Sequence, residues 1–447
     1  MFHRHRKIKL TPGKSLKDLT RIVPSSLLLG EEKRSLLLQQ IKERSALEDV
    51  RFDSLCLSLI HNLTNHCQNL PESSASYYAQ QGGVLDYALN RTEAALGLFQ
   101  NYLLNEEQDN LSEEQKLWQY ALLSAALLQG VGKLQIDYSI NLYDNNGQFL
   151  KQWNPVLENL IAVGSHYSYE FQKETDEEFR CRLNLLLARL LMPASGFAWI
   201  ASNTQVLAIW LALLNEDTEA AGTLGAILVR ADAIAIQRYF NQLSLGAYGG
   251  ARGIRYGRAN TFGVGVPESP VKIENQVGIE FIQWLLQSLE SGRIMVNKAP
   301  LFMVPGGLLI SPEMFKWFVR EHPEFKNWQA VQNGFLSLGL HRLAARNDIN
   351  SRFEQSSNQQ IHSGIVFADY ATALPDKIQL HHLHTGKSTS ISAVELIYQE
   401  QAISSQFTRQ HPVHSEKFLP YLNKKGQWQV ESRKTAAFLR PGVPYGG

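Results

Sequence analysis

The sequence predicts a mainly α chain, a large helical bundle followed by a smaller α+β module. Three observations predict it. Apolar residues recur at three- and four-residue steps almost without interruption over residues 25–240. The composition then breaks at Gly246-Ala247-Tyr248-Gly249-Gly250-Ala251-Arg252-Gly253-Ile254-Arg255-Tyr256-Gly257-Arg258, and no acidic residue stands between Asp232 and Glu268. Beyond the break, apolar runs at 301–304 and 308–310 flank Pro305-Gly306-Gly307, which is a hairpin signature.

The elements follow in order. Residues 1–24 form a basic arm, with seven Lys/Arg against Asp18 alone up to Arg21. Such an arm is either a solvated tail or an attractor of nucleic acid. Segments 31–44 and 47–63 open the helical domain, expected over 25–245. Pro71 and Ser73-Ser74-Ala75-Ser76 mark a loop. After Gly82-Gly83, the stripe Leu85, Ala88, Leu89, Thr92, Ala95, Leu96, Phe99 and Tyr102 reads as one amphipathic helix. Ser112 and Gln115 make a capping box for a helix that Gly130 and Gly132 end. Tyr143-Asp144-Asn145-Asn146-Gly147 is a turn and 150–155 a loop around Trp153. Helices are expected at 178–191, 205–214 and 218–240, the last carrying Asp232.

Residues 246–268 read as a Gly/Arg-rich linker. The second unit, 269–350, runs helix (273–291), short strand (294–296), hairpin, helix from Ser311-Pro312, helix (328–338), and this order is winged-helix-like. Residues 351–447 form an irregular, partly β extension with strands at 364–367, 377–382 and 391–394.

Composition narrows the function classes. A chain of 447 residues with 44% hydrophobic and 19% charged residues is an ordinary globular protein of two or three domains. Its net charge of +1 means that any nucleic-acid contact must come from local basic surface. Cys56, Cys67 and Cys181 fit neither a disulfide framework nor a zinc pattern. No secretory signal and no run of about 18 apolar residues is seen. The expected location is cytoplasmic, with no membrane.

Few motifs carry chemistry. His381-His382-Leu383-His384 has histidines at alternating positions but no carboxylate or thiolate at ligand spacing, so it reads as an exposed strand. Gly386-Lys387-Ser388 lacks the first glycine of a phosphate loop and reads as a turn. Arg252, Arg255 and Arg258 with Tyr248 and Tyr256 suit phosphate contact and base stacking, or equally a flexible linker.

Two stretches organise the first third. Ser76-Tyr77-Tyr78-Ala79-Gln80-Gln81-Gly82-Gly83-Val84-Leu85-Asp86-Tyr87-Ala88-Leu89 and Ala125-Ala126-Leu127-Leu128-Gln129-Gly130-Val131-Gly132-Lys133 resemble the metal-binding segments of an HD-type phosphohydrolase domain. With Ala231-Asp232, and with Phe281-Ile282-Gln283-Trp284-Leu285 and Val304-Pro305-Gly306-Gly307-Leu308-Leu309-Ile310-Ser311-Pro312, they are similar to the words of the MobH class of conjugative relaxases, the TraI-type nickase/helicase-like proteins. The resemblance covers about residues 50–350. It implies an HD-like helical bundle and, in the family, metal-dependent DNA nicking at a transfer origin. It places Tyr77, Tyr78 and Tyr87 at histidine positions, Gln129-Gly130 at the His-Asp doublet, Lys133 at the following lysine, and Asp232 at the late aspartate. An HD-type site needs His and Asp to hold a metal that activates water. Tyr, Gln and Gly do not supply such ligands.

The reading is therefore a catalytically inactive relaxase homologue with no catalytic residues, no metal and no cofactor, whose partners are DNA or a conjugation- or secretion-related protein. The alternatives are a metal-dependent phosphohydrolase or nuclease with a relocated site, and a cytosolic scaffold that binds no nucleic acid. Two structural expectations accompany it. Tyr77, Tyr78 and Tyr87 should be buried, filling the space of metal and imidazole, and Asp232 should pair with Lys133.

Overall fold

The computed structural model describes residues 14–74, 77–103, 111–173, 176–248, 273–343, 348–410, 420–422 and 428–430. Helices make up about 56% of the described residues and antiparallel sheets are interleaved with them, so the fold is mixed α/β with helix predominant.

The first half is built from α1 (Ser25–Leu29), α2 (Glu32–Ser45), α3 (Asp49–Phe52), α4 (Ser58–Cys67), α5 (Gly83–Leu103), α6 (Glu113–Leu128) and α7 (Lys133–Ile136). After a sheet come α8 (Glu177–Leu191), α9 (Ala194–Ala201), α10 (Thr204–Leu214) and α11 (Thr218–Tyr248). Local chemistry fixes several starts. The Ser112/Gln115 capping box is formed at α6. Asp176 caps α8 through the Phe179 N–H, and Asn203 caps α10 through Gln205 and Val206. The central helices α5, α6 and α11 meet along Leu85, Leu89, Leu96, Leu122, Ala126, Ile227 and Ala231, all at most 2% exposed.

The nearly continuous helix expected over 25–240 is interrupted. Strands β1 (Thr20–Arg21), β2 (Tyr138–Tyr143), β3 (Phe149–Gln152) and β4 (His166–Phe171) form one sheet in the order β1-β4-β2-β3. The loop expected at 150–155 is in part β3, whose four residues are all exposed and so show no alternating pattern. The turn signal at 143–147 does join β2 to β3. The other face of this sheet is aromatic: Tyr138 and Tyr167 are buried, and the Tyr138 hydroxyl donates to the Pro71 carbonyl at 2.5 Å.

The second half opens with α12 (Ile273–Glu290), the hairpin β5 (Leu301–Val304) and β6 (Gly307–Ile310), α13 (Pro312–Glu321) and α14 (Trp328–Ser337). The hairpin falls where the Pro-Gly-Gly turn put it. The expected strand at 294–296 is only a single bridge from Val296 to Leu380. Next come β7 (His341–Arg342), β8 (Ser351–Gln355), β9 (Ile361–Phe367), β10 (Lys377–His381), β11 (Ser388–Ser392), α15 (Ala393–Tyr398), α16 (Glu400–Ser404) and β12 (Phe407–Gln410). The strand expected at 391–394 gives way at Ala393, where the Ser392 hydroxyl accepts from the Glu395 N–H and starts α15. Strands β12, β8, β9, β6 and β5 lie in that order in one sheet, with β7 also on β9, so strands from both sides of residue 350 share it.

The second half seats on α11. Arg230 is buried and donates to the carbonyls of Ala371 (3.0 Å) and Leu374 (2.8 Å), with Asp376 as its ion partner at 3.1 Å. One turn pair further on, Gln237 donates to Thr372 O at 2.7 Å. One apolar cluster runs through both halves, from Leu85 and Ile227 to Phe335 and Leu374.

Candidate functional site

The two opening stretches and the late aspartate do meet, at the junction of the loop before α5, the turn after α6, and α11. Gly83 makes the approach possible: a Cβ there would lie 1.9 Å from the Tyr78 carbonyl oxygen. Gly130 takes φ +76°, the left-handed conformation that lets the chain leave α6 and re-enter α7.

The tyrosines are stacked inward. Tyr78 is 3% and Tyr87 8% exposed, while Tyr77 is half-buried. Tyr87 lies 5.5 Å from Tyr77 and 5.4 Å from Tyr78, ring centre to ring centre. Tyr78 also stacks on Tyr239 at 4.8 Å and donates its hydroxyl to the Ala235 carbonyl at 3.0 Å. Burial holds the Tyr77 and Tyr87 hydroxyls well above their ordinary range, so they remain protonated donors. The Tyr87 hydroxyl donates to Asp232 Oδ1 at 2.7 Å.

Arg91, one turn beyond Tyr87 on α5, occupies the middle of the site. Its side chain is 6% exposed and pairs with Asp232 at 3.1 Å. It also donates to Ala126 O at 2.5 Å and to Gln129 O at 2.8 Å, and its guanidinium stands 5.0 Å from the Tyr87 ring centre. Thus Asp232 pairs with Arg91, and the expected pair with Lys133 is not formed. Lys133 bonds instead to the carboxylate of Glu72, both side chains being nearly buried. Burial raises the Glu72 carboxyl above its usual range, and the Lys133 charge opposes that rise. Gln129 contributes only its backbone carbonyl to this centre, because its side-chain amide donates to Leu213 O at 3.2 Å.

Asp369 approaches from the second half, at the start of the turn that docks on α11. It keeps a solvent-open side, which lets water screen it in part. Desolvation by surrounding protein, and then the Asp232 charge, push its carboxyl up to about 6. Glu72, Arg91 and Asp369 were not singled out from sequence. Arg91 had a signal, the i,i+4 spacing from Tyr87 on one helix face.

The remaining candidates lie elsewhere. His381 ends β10 and meets Ser388 Oγ at 3.2 Å, and His382 meets Thr389 Oγ1 at 2.7 Å, across the β10–β11 hairpin. Gly386 takes φ +66° in the turn of that hairpin. Among the described residues, no group of three or more His, Cys, Asp or Glu is placed to hold a metal ion. Tyr248 ends α11, but its side chain, together with Arg252, Arg255, Tyr256 and Arg258, lies outside the described residues.

The geometry is thus a helical unit whose polar centre joins a Gly-Gly loop, a Gly-x-Gly-Lys turn and a late Ala-Asp, followed by a sheet-and-helix unit. Two family models match in the same order. TraI_2, described as "Putative helicase", matches residues 19–254, and TraI_2_C, described as "Putative conjugal transfer nickase/helicase TraI C-term", matches residues 276–385. These place the chain in the class of conjugal-transfer nickase/helicase-related proteins. The first match alone spans more than half of the 447 residues, and the chain belongs to the TraI_2 family. No curated protein matches it.

Proposed function

We propose that the chain is a catalytically inactive homologue of a conjugative DNA relaxase, a cytoplasmic component that binds DNA or a protein of the transfer machinery. In this reading residues 25–245 are a degenerate HD-like domain, 246–268 a linker, 269–350 a winged-helix-like domain and 351–447 an extension whose strands β8, β9 and β12 continue the sheet of that domain. The order α12, β5–β6 hairpin, α13, α14 and then strands supports the winged-helix assignment. The observation that carries the proposal is internal neutralisation of the site. Of the three carboxyls at the site, Asp232 and Glu72 are each held by a side-chain cation of the chain itself, Arg91 and Lys133, while Asp369 stands at its edge. A divalent cation would have to displace both and desolvate in their place.

The test combines metal titration with a nicking assay on supercoiled plasmid carrying a transfer origin, in Mn²⁺ and Mg²⁺. Neither stoichiometric binding nor nicked product is expected. Salt-dependent retention of DNA is expected, weakened when Arg252, Arg255 and Arg258 are together replaced by Ala. Metal-dependent nicking that disappears with Asp232→Asn would overturn the proposal.

A further inference from the structure

Helix α8 turns an apolar line to solvent. Phe179, Leu186 and Leu190 are 47%, 51% and 50% exposed. Their steps of seven and four residues place them along one side of the helix. Leu183, beside the line, and Leu187, Leu191, Asn184 and Ala188, turned away from it, are buried. Leu211 on α10, which packs against α8, adds a further leucine 40% exposed. Beside the line run exposed charges in a fixed order, Glu178 and Arg182 near the start of the helix and Arg189 near its end. Arg182 pairs with Glu178 within the chain, while the Arg189 guanidinium lies over the Phe197 ring at 4.5 Å.

We propose that this face of α8 is the interface between two copies of the chain, packed as antiparallel helices about a two-fold axis. A two-fold contact requires a surface complementary to itself. Apolar side chains in the middle, with Glu178 near one end and Arg189 near the other, meet that requirement when the two helices run antiparallel. Antiparallel packing sets Phe179 against the partner's Leu190 and Glu178 beside the partner's Arg189, and the symmetry repeats both contacts. The helix dipoles also oppose. A lipid surface fits less well. The axis bends by 117° between α8 and α9, and Asp176, Glu177 and Glu178 gather at one end of the line, where an anionic bilayer would repel them.

Sedimentation velocity and light scattering on the full chain test this. A species of twice 50.5 kDa is expected in the micromolar range. Leu186→Asp puts a charge into the apolar middle of the contact, at a position exposed in the single chain. It should weaken the dimer about tenfold or more while leaving unchanged the circular dichroism spectrum and the Tm measured at a dilution where both forms are monomeric. Glu178→Arg and Arg189→Glu should each weaken it, and the double exchange should restore it. A monomer at every concentration, or a dimer indifferent to Leu186→Asp, overturns the proposal. So does flotation with phosphatidylglycerol vesicles that Leu186→Asp abolishes, since the face would then serve lipid.

Discussion

Replacing Arg91 by Met tests the account of the closed site most directly. The change keeps length and apolar stem and removes the guanidinium. Three partners then lose their donor: Asp232, Ala126 O and Gln129 O. Removing one partner of a buried pair costs about 3–5 kcal/mol. The Asp232 side chain is 26% exposed, and water reaching it puts the expected loss near the lower end, about 3 kcal/mol. Adding Asp232→Asn removes the orphaned charge while keeping an acceptor for Tyr87. The double variant should therefore recover about 1 kcal/mol, leaving only the two carbonyls undersatisfied. Equilibrium urea unfolding followed by circular dichroism gives both values. If the two losses simply add, with the double variant the least stable of the three, Arg91 and Asp232 do not form the pair described.

Other outcomes follow from the same geometry. Lys133→Met should couple strongly to Glu72→Gln in a double-mutant cycle and only weakly to Asp232→Asn; equal coupling to both would restore the pairing expected from sequence. Tyr87→Phe removes the hydroxyl that Asp232 accepts and should cost about 1–3 kcal/mol in the same unfolding experiment, whereas an unchanged midpoint would mean that water replaces it fully. Asp369 has a folded pKa of about 6, above its ordinary 3.8. Its contribution is therefore fully present below pH 3.8 and is lost as pH rises through about 6. Asp369→Asn should accordingly raise Tm at pH 7 and change it little at pH 4, and a gain equal at both would refute the assignment. Gly83→Ala forces a Cβ into the Tyr78 carbonyl and should destabilise by about 1–3 kcal/mol or more, a loss that a matching Gly30→Ala control helps to scale.

Much of this organisation was legible in the sequence. The α5 stripe, the Ser112 cap and the Pro-Gly-Gly hairpin are local signals, readable because each element's own residues specify it. The first sheet was missed because β1 is two residues long and pairs with β4 far along the chain, while β3 is exposed on both sides. Neither leaves a periodicity to read. At the site, spacing and resemblance brought Tyr77, Tyr78, Tyr87 and Asp232 to one place, and the structure gathers them there. Pairing was a different matter. Which cation meets which carboxylate depends on side-chain reach across three segments, so the sequence points to Lys133 where the structure pairs Arg91.

The position of β9 has a consequence for biosynthesis. It lies between β6 and β8, and it is made more than fifty residues after β6. Until residue 367 leaves the ribosome, the apolar strands Leu301–Val304 and Gly307–Ile310 form a hairpin whose β6 edge is bare as well as its β5 edge. A nascent chain halted in that interval presents Leu308, Leu309 and Ile310 as a template for any neighbouring strand. Shortened forms ending near residue 350 should therefore be prone to coaggregate on the ribosome, and expression of this protein should reward slow, cool growth with chaperone support.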